Sequence, residues 1–178
     1  MSRIGRNPIH VPNGVTVTVN GNLVTVKGKL GELSQELDKK IGVEVADGIV
    51  KVININDVED NRNLHGLYRQ LIHNMVEGVD KGYEKRLNVN GVGFKIAKNG
   101  NDLVLNLGFS HPVNVKAIDG ITLDFDKNVI IIKGINKELV GQFAAKVRSI
   151  KPVEPYHAYG ISYVDEVIVR KESKSAKK

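Results

Sequence analysis

The chain of 178 residues carries 26 Lys+Arg against 20 Asp+Glu, a formal net charge of +6, and is 41% hydrophobic with no cysteine. That length suits one medium domain or two small ones, and the missing thiols exclude disulfides, thiolate catalysis and Cys-based zinc sites. No apolar run approaches the roughly 20 residues of a membrane helix, and the opening MSRIGRNPIHVP lacks the apolar stretch of an export signal, so a cytoplasmic, reducing address is expected.

In chain order, Val15 to Val19 alternates apolar and polar residues and runs into Asn20-Gly21-Asn22, the chemistry of a tight hairpin turn. Further short strands are predicted near 23–27, 32–37, 41–46 and 49–54. A helix then starts near Arg62, where Leu64, Leu67, Tyr68, Leu71, Ile72, Met75 and Val76 make one wide apolar stripe. After a short join at Gly78 to Tyr83, the order begins again, with strands predicted near 87–97, 102–107, 112–117, 121–125 and 129–133. The second helix starts near Lys137 with Asn136 as its N-cap, and carries Leu139, Val140, Phe143, Val147 and Ile150 on one face. Pro152 and Pro155 end it.

The segment Asn22 to Val26 is answered by Asp102 to Asn106 about 80 positions later, and Gly48 to Val52 by Asn128 to Ile132, in the same order. This implies an α+β protein of two tandem copies of a small domain, each a mainly antiparallel sheet packed on one helix. The expected divisions are 1–82, 83–169 and a basic tail, 170–178. Positions 1–82 hold ten cations and ten acids, whereas 83–178 hold sixteen and ten, so a polyanionic partner should meet the second half. The tail RKESKSAKK contributes five cations and no apolar stripe; it is expected to be disordered when unbound and suited to phosphate.

The five histidines at 10, 65, 73, 111 and 157 are scattered; only His65 and His73 share a helix face, and neither HExxH nor a completing carboxylate is present, so no metal is expected. Gly91 and Gly93 lack the third glycine and the following helix of a nucleotide loop, and read instead as a bulge or a close backbone approach in a strand. In the alternative, their N–H groups and Lys95 approach a nucleic-acid phosphate. No GxSxG elbow occurs, and the acids sit mostly in turns or on polar strand faces. Between Lys151 and Gly160, two prolines stiffen a loop carrying Tyr156, His157 and Tyr159, rings of the kind that stack on bases. Tyr156 could equally plug a gap between sheet and helix.

Over nearly its whole length the chain carries an ordered set of short motifs: MSRIG with Pro8 and Pro12-x-Gly14-Val15, Val26-Lys27-Gly28 with Gly31-Glu32-Leu33, and His65-Gly66 with Arg69 and Asn74-Met75-Val76-x-Gly78-Val79. The set continues through Gly91-Val92-Gly93-Phe94, Leu107 to Val113, Val140-Gly141-Gln142 and Glu154-Pro155-Tyr156 to Gly160-Ile161. Their order gives the chain a resemblance to the bacterial large-subunit ribosomal protein six family. It implies a duplicated α+β domain bound to 23S rRNA near the sarcin–ricin loop and stalk base, beside other large-subunit proteins. No enzyme activity, cofactor, metal, membrane or small-molecule substrate is implied.

Together with the charge pattern, the resemblance marks Lys95, Ser110, His111, Tyr156, His157, Tyr159, Gly160, Arg170, Lys171, Lys174, Lys177 and Lys178 as rRNA contacts, with Arg3, Arg6 and Arg69 as further candidates. The chain departs from the family pattern in the loop after the second helix. Val153 stands for a proline, and His157, Ala158, Tyr159 and Ser162 stand where the pattern has lysine, glycine, lysine and arginine. Three cations are lost there, which shifts the expected contact toward stacking and hydrogen bonding. Lys29-Leu30 also replaces Pro-Lys before Gly31, an expected change of turn only. A free RNA-binding or RNA-chaperone protein on the same scaffold is the alternative, and an enzyme with an unrecognised site the third.

Overall fold

The computed structural model describes residues 2–55 and 61–172. They form two compact units, one of Met1–Gly82 with Ile135–Lys137, the other of Tyr83–Gly134 with Glu138–Lys178. The architecture is α+β, with antiparallel sheets and one long helix in each repeat.

The first unit contains β1 (Ile9–His10), β2 (Thr16–Asn20), β3 (Leu23–Gly28), β4 (Gly31–Glu36), β5 (Ile41–Ala46), β6 (Ile49–Asn54) and α1 (Arg62–Asp80). Its strands divide between two sheets, ordered β1-β6-β5 and β2-β3-β4. Short turns make this possible. Asp47 and Gly48 both have positive φ, 49° and 73°, as a two-residue hairpin turn requires, and Ala46 pairs with Ile49 across it. Alternation then sends Val24, Val26, Val50 and Val52 inward to meet Ile72, Met75, Val76 and Val79 of α1. Leu67 lies at the edge of the predicted stripe and is exposed, so the buried face is narrower than the sequence pattern.

The second unit contains β7 (Tyr83–Asn90), β8 (Lys95–Asn99), β9 (Asp102–Asn106), β10 (Val113–Val115), β11 (Ile121–Asp126), β12 (Val129–Gly134), α2 (Lys137–Ile150) and β13 (Gly160–Tyr163). The sheets run β11-β12-β7-β13 and β10-β9-β8. Leu87, Val89, Leu103, Leu105, Ile130 and Ile132 form the core with Val140, Phe143, Ala144 and Val147 of α2.

Three expectations about elements need correction. The single strand predicted at 87–97 is two strands in different sheets, because the chain turns at 91–94: Phe94 N–H donates to Gly91 O at 3.3 Å and Gly93 has φ 75°. The Phe94 ring folds back so far that a Cβ on Gly91 would stand 2.4 Å from it, so this glycine serves a turn and not a strand bulge. The strand predicted at 112–117 is only Val113–Val115. β1 and β13 were not anticipated: the one has two residues beside Pro8, and the other follows a proline-rich loop that masks its apolar character.

Candidate nucleic-acid interface

β13 is an edge strand whose first residue, Gly160, pairs with Asn90 at the end of β7. This pairing sets the preceding loop beside the 91–94 turn, and Asn90 Nδ2 donates to Ala158 O at 3.2 Å. A third segment, 107–112, joins them through Lys151. Its ammonium donates to Leu107 O at 3.0 Å and lies 5.4 Å from the centre of the Phe94 ring and 4.6 Å from that of Phe109. Two ring faces and a carbonyl thus satisfy this cation, which ties three loops together.

The loop from Lys151 to Gly160 is rigid for reasons visible residue by residue. Glu154 N–H donates to Tyr159 O at 3.0 Å, and Ile161 N–H to Lys151 O at 2.8 Å. Ala158 adopts φ 60° and is buried, an uncommon conformation held by its packing. Gly160 has φ 144°, and a Cβ there would lie within 2.7–2.8 Å of Pro152 O, Val153 Cα and Lys151 O. Only glycine fits.

Three rings follow from that frame. Tyr156 is half exposed, and so does not plug the fold. His157 stacks on Tyr159 with centroids 5.3 Å apart and planes inclined by 20°. The His157 backbone N–H and Nδ1 both approach Glu154 Oε1, at 3.2 and 3.0 Å. The chain then returns past this loop, because Lys171 N–H donates to Pro155 O at 2.9 Å and so sets Lys171 and its neighbour Arg170, both exposed, beside it.

The return segment is braced upstream. Arg148 of α2 forms a bidentate pair with Glu166, Nε to Oε2 at 2.9 Å, and Tyr163 N–H donates to the same Oε2 at 3.0 Å. The Arg148 hydrogen bonds, then that of the backbone, hold the Glu166 carboxyl below its ordinary value.

The predicted contacts are distributed as follows. Lys95 is the exposed first residue of β8, directly after the 91–94 turn; Ser110 and His111 are exposed on the 107–112 segment, with Ser110 Oγ 3.4 Å from His111 Nδ1. With Tyr156, His157, Tyr159, Gly160, Arg170 and Lys171, they belong to the three loops or to the segment running past them. Lys174, Lys177 and Lys178, and most of the expected disordered tail, lie outside the described residues. Arg3, Arg6 and Arg69 belong to the first unit. Arg3 and Arg6 are exposed, whereas Arg69 donates from Nε to Asn7 O at 3.1 Å and from Nη2 to Pro8 O at 3.4 Å, holding the N-terminal segment on α1.

Sequence reasoning missed Lys151, Phe94, Phe109 and Glu154 as organisers of this cluster. Only the Glu154–His157 spacing carried a local signal; the rest meet across tens of residues. Among the described residues no three His, Asp or Glu are grouped to hold a metal ion, and no helix is long and apolar enough to cross a membrane. A groove of about 540 Å³ along α2 is walled by Leu139, Phe143, Val147 and Ile150, with Asn114, Lys116, Gln142 and Lys146 as its polar lining.

The sequence pattern of the family described as Ribosomal protein L6 matches residues 11–82 and again 90–164. The chain is 50% identical over 179 residues to "Large ribosomal subunit protein uL6" of Clostridium perfringens, with 99% of this chain and all of that one covered. It is 49% identical over 179 residues to the protein of the same name from Clostridium acetobutylicum, at the same coverage. With that of Acaryochloris marina it shares 47% over 179 residues, both chains being covered in full. Two matched repeats within one chain, and relatives of this identity from end to end, establish that the chain belongs to the ribosomal protein L6 family.

Proposed function

We propose that the protein is a structural constituent of the large ribosomal subunit, placed in the cytoplasmic ribosome, and that it supports translation by binding and stabilising 23S rRNA near the sarcin–ricin loop and stalk base. In this reading residues 1–82 and 83–169 are tandem domains, the second is the main RNA-binding one, and 170–178 is a basic arm. The role is architectural: the loops hold RNA in a shape and transform nothing. Neighbouring large-subunit proteins complete the surroundings.

The observation that carries the reading is the convergence of the 91–94, 107–112 and 151–160 loops, from which Arg170 and Lys171 lead into the cationic tail. Exposed rings beside exposed cations suit RNA, which is bound through stacked bases and neutralised phosphates.

Footprinting of 23S rRNA with the full chain and with a variant ending at Val169, across a salt series, tests it. Five cations are removed, so the log–log salt slope should fall by about 3.5–4.5 along with the affinity; equal footprints and equal slopes would refute the arm's part. Sedimentation separates the alternative. A subunit component stays with large subunits through moderate salt at one copy each, whereas an RNA chaperone appears in the light fractions.

A further inference from the structure

The loop that replaces the family's lysines holds a hydrogen-bond acceptor where a cation would be expected. Lys151 is engaged by Leu107 O and two aromatic rings, so the loop's remaining charged or titratable groups are Glu154, Tyr156, His157 and Tyr159. An ionised carboxylate only accepts hydrogen bonds. Both groups bonded to Glu154 Oε1, the His157 backbone N–H and Nδ1, are therefore donors. A neutral imidazole with its proton on Nδ1 presents a lone pair on Nε2. The Nδ1 bond orients the ring, its side chain is 69% exposed, and Tyr159 stacks on one of its faces.

In the neutral ring that arrangement disfavours phosphate, whereas an imidazolium would donate from Nε2 instead. A phosphodiester has no proton to offer Nε2, and its charge would meet the Glu154 carboxylate, which lies 3.0 Å from the ring. A ribose 2′-hydroxyl or a base amino group does donate, and the 2′-hydroxyl is the group that distinguishes RNA from DNA.

We propose that residues Glu154 to Tyr159 form a ribonucleotide-reading turn. His157 Nε2 accepts a hydrogen bond from a ribose hydroxyl or base amino group, the His157–Tyr159 pair receives a base by stacking, and Arg170 and Lys171 take the phosphates. The inference rests on rRNA binding at this surface, and goes beyond it in naming which part of the nucleotide the turn recognises.

The test compares binding of a 23S rRNA transcript by the full-length wild type, His157→Phe and His157→Lys over a salt series. Phenylalanine keeps a stacking ring and removes the acceptor; it should weaken binding about three- to ten-fold, the worth of one neutral hydrogen bond, at unchanged salt slope. Lysine restores the family's cation; it too should weaken binding at unchanged slope. Transcripts sparsely substituted with 2′-deoxynucleotides, or with analogues lacking the base amino group, identify the donor. Interference at a position should appear with the wild type in one of these sets and vanish with His157→Phe. The proposal is overturned if His157→Phe binds as the wild type does, since stacking alone would then suffice. It is equally overturned if His157→Lys binds more tightly with a slope steeper by about 0.7–0.9, which would put a phosphate there. Failure of the wild type to bind the transcript would remove the underlying rRNA reading as well, a result distinct from either.

Discussion

Gly160 carries more of the candidate interface than its lack of a side chain suggests. Its backbone conformation and the three backbone atoms crowding its Cβ position make it the pivot between the loop and β13. Gly160→Ala should destabilise the fold by about 1–3 kcal/mol, the usual range for overpacking combined with backbone strain, and should reduce rRNA protection; urea unfolding checks the first and footprinting the second. Glu166 governs a pH response. Its folded pKa is depressed from the ordinary 4.5, chiefly by Arg148, so its contribution is complete above that value and disappears as the pH falls through the folded one. Glu166→Gln should therefore be less stable than the wild type at neutral pH, and the two should converge on acidification. Thermal melts between pH 7 and pH 3 would follow it, with a constant gap counting against the pair.

Among the elements, the three loops depend on a single cross-link. Lys151→Met keeps the aliphatic stem but deletes a hydrogen bond and two cation–ring contacts, a loss of about 1–2 kcal/mol. The salt slope of rRNA binding should stay the same, because this ammonium faces the protein; a fall of about 0.7–0.9 would mean it meets phosphate instead. The elements also explain which features were legible in the sequence. Both helices and the central strands could be read because Val24, Val26, Ile130 and Ile132 alternate and α1 repeats its apolar residues at helical spacing. The division of each repeat's strands between two sheets could not be read. Nothing local says that Phe94 closes over Gly91 and ends β7, or that Gly160–Tyr163 completes the sheet beside β7. The site shared this fate: its rings and cations were legible as residue types, while Lys151 and Glu154, which position them, act through partners that periodicity does not reveal. Arg69, a further candidate contact, uses Nε and Nη2 on Asn7 O and Pro8 O, partners equally invisible to periodicity.

For the whole molecule, charge is the governing quantity. Residues 1–82 balance their charges and 83–178 carry the entire excess, so the salt dependence of binding should be dominated by the second half. Replacing Arg3 and Arg6 by alanine together can lower the slope by no more than about 1.4–1.8, against about 3.5–4.5 for removing the arm. Filter binding from low to moderate salt would rank them, and a reversed order would move the contact to the first half. The bond from Lys171 N–H to Pro155 O has a further effect at this scale. It anchors Arg170 and Lys171 against the turn, so on the proposed function the two would act as one bivalent ligand joined at zero distance. Once the turn engages, Arg170 and Lys171 would meet the same RNA at an effective concentration in the millimolar range. The arm supplied as a free peptide would forfeit that avidity, however many charges it kept.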